Sequence, residues 1–254
     1  MRELSLEKEL ERIQTFIRDY LRDAGFNKVV LGLSGGVDSS VCAALAVRAL
    51  GRDNVTAVML PHKDSSPESK ADAITLIEQL GCQCETIDIT PMVEAYLAQC
   101  EGEVSLLRRG NLMARIRMTV LYDLSSALEA LVLGTSNRTE LMLGYFTQYG
   151  DSACAFEPIG HLYKTEVWKI ARLLHIPEKI INKTPSADLW PGQTDEAELG
   201  LPYKVLDEIV YALTELDINI EATQNLDYPA DQYRKVDGMI QRSSFKRVMP
   251  GILE

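Results

Sequence analysis

LGLSGGVDSS, residues 31–40, decides the fold. Just ahead of the glycines, KVVLGL (28–33) is a short apolar run rich in β-branched residues, the make-up of a buried strand. Just after them, DSSVCAALAVRAL (38–50) is helical and stops at Gly51. Gly35 and Gly36 carry no Cβ, so the backbone between strand and helix can turn sharply and approach a ligand. The free N–H groups at the start of the helix then point at that ligand, and the helix dipole favours an anion there. Ser34, Ser39 and Ser40 add hydroxyl donors. Asp38 would repel a phosphate unless it holds a divalent cation. Magnesium takes one or two carboxylates plus phosphate oxygens, and so suits the position. The plainer alternative is a strand-to-helix turn in which Asp38 is the N-cap.

Outward from this string the chain alternates. Residues 4–24 carry Leu6, Leu10, Ile13, Phe16, Ile17, Tyr20 and Leu21 at helical spacing, closed by Gly25. Further strands are expected at 54–61, 84–90, 130–135 and, more weakly, 155–160. Helices are expected at 38–50, 66–81, from Pro91, at 110–129 and at 162–176. Residues 183–202 hold three prolines and two glycines, too long for a plain connector and typical of a lid. Beyond Pro202 helices are expected at 203–215, 218–226 and 229–243. This pattern predicts one α/β domain over residues 1–254, Rossmann-like and doubly wound. It would have a mostly parallel five-stranded sheet with helices on both faces and a helical tail at about 203–254. Ligands on such sheets bind beyond the carboxyl ends of the strands.

Composition narrows the function. The 254 residues carry 26 basic against 37 acidic side chains, net −11, which argues against a nucleic-acid partner because phosphate contacts call for a basic face. No run reaches the ~18 apolar residues of a membrane helix, and the charged N-terminus does not read as a signal peptide. Five cysteines without regular spacing do not make a disulfide framework, and Cys82 and Cys84 lack a second pair to bind metal. His62, His161 and His175 are scattered, without metal-ligand spacing. A cytoplasmic protein is expected.

SGGVDSS resembles the SGGxDS loop of the ATP pyrophosphatase, or PP-loop, family, whose fold is of the adenine nucleotide alpha hydrolase type. It lacks the Gly-Lys-Ser/Thr ending of a Walker loop. Four further segments occur in order: GNLMARIRM (110–118), LVLGTSNRTELMLGYFTQYGD (131–151), PIGHLYKTEV (158–167) and PSADLWPGQTDEAELGLPY (185–203). Together, over about residues 10–215, they resemble the ammonia-dependent NAD synthetases. The resemblance implies amidation of deamido-NAD: its pyridine carboxylate attacks the α-phosphorus of ATP, pyrophosphate leaves, and ammonia displaces AMP to give NAD. With the first strand expected near residue 28, no room precedes it for the amidase domain of glutamine-dependent relatives. The alternatives are the same chemistry on nicotinic acid mononucleotide, a PP-loop enzyme modifying tRNA, and a non-catalytic nucleotide-binding module.

The resemblance also implies roles. Gly32, Leu33, Ser34, Gly35, Gly36, Val37, Asp38 and Ser39 surround the ATP phosphates, joined by Thr135, Lys164 and Ser186. Asp38 and Glu140 hold magnesium, and Asp38 and Lys164 are the catalytic pair, the lysine offsetting the charge of the departing pyrophosphate. Asn111, Arg115, Gln148 and Asp151 contact deamido-NAD. Asn111 and Arg115, four apart, share a helix face, while Arg117 points about 200° away from Arg115 and is read as serving another ligand, another subunit or an ion pair. Many members have lysine where Gln148 stands, aspartate where Ala155 stands, and a His-Lys pair where Phe245 and Lys246 align. Asp151 and Glu157 are the carboxylates placed to compensate. Relatives of this type are homodimers, with the helices at 4–24 and 110–129 as candidate contacts.

Overall fold

β1 (Val29–Gly32) is the pivot of the sheet. It pairs in parallel with β2 (Val55–Met59) on one side and β4 (Leu131–Val132) on the other, and β3 (Gln83–Thr86) adds in parallel to β2. The order is β3-β2-β1-β4. Parallel strands covered on both faces must be apolar throughout, and Val29, Val30 and Leu31 are wholly buried. The computed structural model describes residues 2–221 and 226–253.

The sheet has four strands, not the five expected. AFEPIG contributes one parallel bridge, Leu133 to Phe156, with Gly134 N–H donating to the Phe156 carbonyl and Ala155 N–H to that of Val132. Pro158 has no N–H to extend the ladder. The bridge edge is covered by Phe16, Tyr20 and Phe156, whose rings lie 4.7–5.9 Å apart, and the Tyr20 hydroxyl donates to the Ala155 carbonyl at 2.6 Å.

Helices α1 (Leu6–Ala24), α2 (Val37–Leu50) and α7 (Lys164–Leu173) cover one face of the sheet. Leu10, Ile13, Ile17 and Leu21 of α1 are buried, and Gly25 closes the helix at φ 78°. α3 (Pro67–Leu80) starts at the Ser66 cap, whose hydroxyl accepts from Glu68 and Ser69 N–H. α4 (Thr90–Leu97) and α5 (Leu106–Leu128) cover the opposite face around Val30, Val58 and Val132. α5 begins earlier than the expected 110 because Ser105 caps it, accepting from Arg108 N–H. α6 (Arg138–Leu143), α10 (Tyr203–Thr214) and α11 (Ala230–Arg242) form a further apolar cluster beside α7. The short α8 (Glu178–Ile181) and α9 (Asp195–Leu199) flank the proline-rich segment. The expected helix at 218–226 does not form at 218–221 or 226, and its other residues lie outside those described. Among the described residues, no helix is long and apolar enough to cross a membrane.

Candidate active site at the carboxyl ends of β1 and β4

Chain connections leave β1 toward β2 and reach β4 on its other side, so the crevice beyond β1 and β4 is the switch point where open α/β sheets bind ligands. Loop 33–36 forms one wall. Gly35 has φ +78°, and a Cβ there would lie 2.1 Å from the Ser69 carbonyl oxygen of α3, so both conformation and contact exclude any other residue. Gly36 is the N-cap of α2 and has no side chain to cap it, which leaves the N–H groups of the first turn facing the crevice. The hydroxyls brace this loop. Ser34 Oγ accepts from Gly36 N–H and lies 3.1 Å from Ser39 Oγ. Ser40 Oγ donates to the Gly36 carbonyl at 2.7 Å and is fully buried, so Ser40 is a brace and not a ligand donor. Leu33 buries its side chain and donates its N–H to Val58, and Val37 is likewise in the core.

Asp38 is not an N-cap. From the first turn of α2 its Oδ1 accepts from Asn137 Nδ2 at 3.0 Å, and its Oδ2 accepts from Lys164 Nζ at 2.5 Å. Lys164 Nζ also lies 3.3 Å from Glu140 Oε1 and 4.9 Å from the Tyr203 ring centroid. Lys164 is 2% exposed. Burial works to lower its pKa, but Asp38 and Glu140 outweigh it and hold the ammonium above lysine's ordinary value. Burial raises the Glu140 pKa; Lys164 opposes this, and the negative Asp38 and Asp195 add to it.

Three residues here, Asn137, Asp195 and Asp207, are not singled out by sequence reading. Asn137, fully buried, accepts from Glu140 N–H through Oδ1 while Glu140 Oε2 accepts from Asn137 N–H, so the pair is a capping box at the start of α6. The Asn137 amide NH₂ is left to hold Asp38. The N-x-x-E spacing of NRTE was the available signal. Asp195, buried at the start of α9, accepts from the hydroxyls of Tyr145 (3.1 Å) and Tyr203 (2.9 Å). Its role follows from tertiary packing that no local spacing announces. Asp207 of α10 supports the same site. It accepts from Thr139 Oγ1 at 2.5 Å and from Thr165 N–H at 2.8 Å, fixing the first turns of α6 and α7.

Thr135 leaves β4 into this crevice with its hydroxyl unpartnered among the described residues, whereas Ser186 is exposed and accepts from Asp188 N–H at 3.0 Å. The segment holding Ser186 is pinned at both ends. Asp188 accepts from Ser66 N–H at 3.0 Å, and Lys183 Nζ donates to Ser69 Oγ at 2.8 Å, on the helix turn that backs Gly35. Leu189 and Trp190 pack against Gly110 of α5, where a Cβ would lie 2.9 Å from Leu189 Cδ1.

A second cluster lies along α5. Asn111 Oδ1 accepts from Thr147 Oγ1 at 2.8 Å, Thr147 N–H donates to Asp151 Oδ1 at 2.9 Å, and Arg115 donates to the Gln148 carbonyl at 3.2 and 3.3 Å. Asn111, Arg115, Gln148 and Asp151 are thus brought together, Gln148 through its backbone. Lys246 Nζ donates to the carbonyls of Gly144 and Phe146, closing the same segment from the C-terminal side. Arg117 instead donates to the Leu60 carbonyl at 3.1 Å, and no ion pair involves it among the described residues. All five cysteines are free thiols.

The family model described as NAD synthase matches residues 9–250. The NH(3)-dependent NAD(+) synthetase of Fusobacterium nucleatum is 47% identical over 248 residues, covering 98% of this chain and 96% of that protein. Among solved structures, the NH3-dependent NAD synthetase from Campylobacter jejuni, in complex with the nitrate ion, superposes with TM-score 0.84 at 36% identity. It covers 99% of this chain and 100% of that one. The NMN synthetase from Francisella tularensis superposes with TM-score 0.88 at 33% identity, covering 99% of both chains.

Proposed function

The chain belongs to the NAD synthase family, and on that premise we infer that it is an ammonia-dependent NAD synthetase, a ligase that amidates deamido-NAD at the expense of ATP. A carboxylate is a poor acyl donor because oxide would have to leave. Transfer to the α-phosphorus of ATP turns the departing group into AMP. The protein's part is to hold the two substrates in line and to offset charge.

The observation that carries this reading is the convergence of Asp38 and Glu140, from the first turns of α2 and α6 at the switch point, on the buried ammonium of Lys164. Gly32 to Ser39 receive the triphosphate, with backbone N–H groups of the α2 first turn as donors and Thr135 and Ser186 as hydroxyl contacts. Lys164 loses its carboxylate partners to the incoming phosphates and neutralises the pyrophosphate as it leaves. Two carboxylates converging from α2 and α6 suit magnesium, a hard ion that takes carboxylate and phosphate oxygens. Asp38 and Glu140 would hold the ion, and it would supply charge neutralisation on the phosphates. Arg115, Asn111, Gln148 and Asp151 hold deamido-NAD along α5. The pinned segment 183–194 covers the crevice and keeps water from competing with ammonia for the adenylate. The C-terminal helices belong to the same unit, because Asp207 orients the backbone from which Lys164 and Glu140 project.

α5 also points to a homodimer. α1 buries a continuous apolar face, but of the 23 residues of α5 the fully buried ones are Gly110, Met113 and Ala114, and Leu106, Leu107 and Tyr122 stand exposed. A second copy on α5 would cover them next to the deamido-NAD residues. Light scattering is expected to give twice the chain mass. We place the enzyme in the cytoplasm, where its nucleotide substrates are.

Purified protein with deamido-NAD, ATP, magnesium and ammonium is expected to form NAD, AMP and pyrophosphate. ADP and phosphate would refute the reading. The fold match to the F. tularensis NMN synthetase makes the mononucleotide the sharpest competing substrate. The higher identity to dinucleotide enzymes favours deamido-NAD, so its kcat/KM is expected to exceed that of nicotinic acid mononucleotide.

A further inference from the structure

Glu157 follows the Leu133–Phe156 bridge, and its side chain folds back onto the loop that leaves β4. Oε2 accepts from Ser136 N–H at 3.0 Å, and the Cys154 side chain packs near the same carboxylate beside Gly134. Oε1 is buried and has no partner. No lysine, arginine or histidine among the described residues forms an ion pair with it. The titratable groups that face it are Cys154, Asp151 and, from α2, Cys42, and none supplies positive charge. Burial, chiefly, pushes its carboxyl up to about 7. The chain keeps this arrangement by having glycine at 134: a Cβ there would lie 2.4 Å from Glu157 Cδ and 2.5 Å from Cys154 Sγ.

The other buried acids of the crevice are spoken for. Asp38 accepts from Asn137 and Lys164, Glu140 from Lys164 and Asn137 N–H, Asp195 from two tyrosines, and Asp207 from Thr139 and Thr165 N–H. Among the buried side-chain carboxylate oxygens of the described residues, Glu157 Oε1 is the one without a donor. It lies against Ser136 and Gly134, in the loop that leaves β4. A buried acceptor without a donor costs desolvation energy that the fold does not recover, unless a ligand brings the donor.

The reaction has such a ligand. Ammonium has four N–H donors, no lone pair and a positive charge, and it must lose a proton before it can attack. We propose that Glu157 Oε1 binds the ammonium ion and takes its proton, an inference that rests on the ammonia-dependent reading above. The N–H bond breaks toward Glu157, giving the neutral acid and ammonia. The nitrogen lone pair forms the C–N bond at the acyl carbon of the adenylate, the C–O bond to the AMP phosphate breaks, and the second proton leaves on that phosphate. A carboxyl titrating near neutrality suits this transfer, since it is ionised enough to accept at working pH.

Two assays on the full-length enzyme separate the steps. Exchange of labelled pyrophosphate into ATP with deamido-NAD and no ammonium reads adenylation, and NAD formation reads the whole reaction. Glu157→Gln is expected to keep exchange within about twofold of wild type. It should lose about 100-fold in NAD formation, raise the KM for ammonium and lose the acidic limb of the rate profile near pH 7. Hydroxylamine, neutral at that pH, is expected to restore turnover to the variant as the hydroxamate, and Glu157→Asp to recover part of NAD formation with its acidic limb. The proposal is overturned if Glu157→Gln keeps its NAD formation and ammonium KM. It is equally overturned if exchange and NAD formation fall together and hydroxylamine does not help, since Glu157 is then a positioning residue. Wild-type protein inactive in both assays overturns the synthetase reading itself.

Discussion

Two buried carboxylate sites flank the end of β4, and they are opposite in electrical character. On the α2–α7 side, Asp38 and Glu140 share the Lys164 ammonium and are held by Asn137. Beside Gly134, Glu157 accepts from a backbone N–H and has no cation among the described residues. The first site is charge-paired, and in the proposed reaction the lysine exchanges its carboxylates for phosphates. The second is unpaired and is tuned toward neutral pH by burial. Residues of one chemical type near the end of β4 are thus proposed to serve charge neutralisation in one place and proton transfer in the other.

Lys164→Met is the harshest way to break this contrast. It leaves Asp38 and Glu140 facing each other without a cation, and kcat/KM is expected to fall about 10³-fold. Denaturant melts should show a loss of about 3 kcal/mol. If activity survives, the paired site is only structural.

Glu157→Gln should act on stability with the opposite sign. A carboxyl at about 7 in the folded protein, against an unfolded value of about 4.3, makes the folded state the better proton binder between those values. Wild-type stability therefore falls as pH rises through this window, by up to about 4 kcal/mol. The glutamine variant is expected to be more stable than wild type at pH 8, and that advantage should disappear below about pH 4.5, read from denaturant melts at several pH values. Equal slopes for the two proteins would contradict the unpaired character of Glu157.

Asn137→Ala removes the donor that orients Asp38 and the cap of α6. The expected loss is about 1–2 kcal/mol in stability, with a several-fold rise in the magnesium concentration for half-maximal rate. Unchanged magnesium dependence would detach Asn137 from the paired site. Arg115→Ala lies outside both sites. It is expected to raise the KM for deamido-NAD five- to tenfold with kcat little changed, about 1 kcal/mol of uniform binding. A fall in kcat alone would place Arg115 nearer the chemistry.

Much of this was legible in the chain because it is written locally. The strand, the two glycines and the helix of 28–50 fix the loop, and a positive φ at Gly35 with Ser69 against it leaves no other geometry. Asp38, Glu140 and Lys164 stood out through motif resemblance, and the fold brings them together over 126 residues of sequence separation. Apolar content at 155–160 suggests a fifth strand but cannot show that Pro158 halts the ladder after one bridge. Asp195 and Asp207 give no local signal, since Tyr145, Thr139 and Thr165 reach them from segments distant in the chain. Glu157 was visible as a compensating acid, but its lone oxygen depends on Gly134 and Cys154 closing over it, which only the packed structure displays.

In the proposed reaction, the crevice beyond β1 and β4 drives carboxylate attack on the α-phosphorus and expels pyrophosphate. Deamido-NAD labelled with oxygen-18 in its pyridine carboxylate tests this directly, by mass spectrometry of the products after one turnover with ATP, magnesium and ammonium. AMP carrying one labelled oxygen, with unlabelled pyrophosphate, is the predicted result; label in inorganic phosphate, or AMP without label, would contradict it.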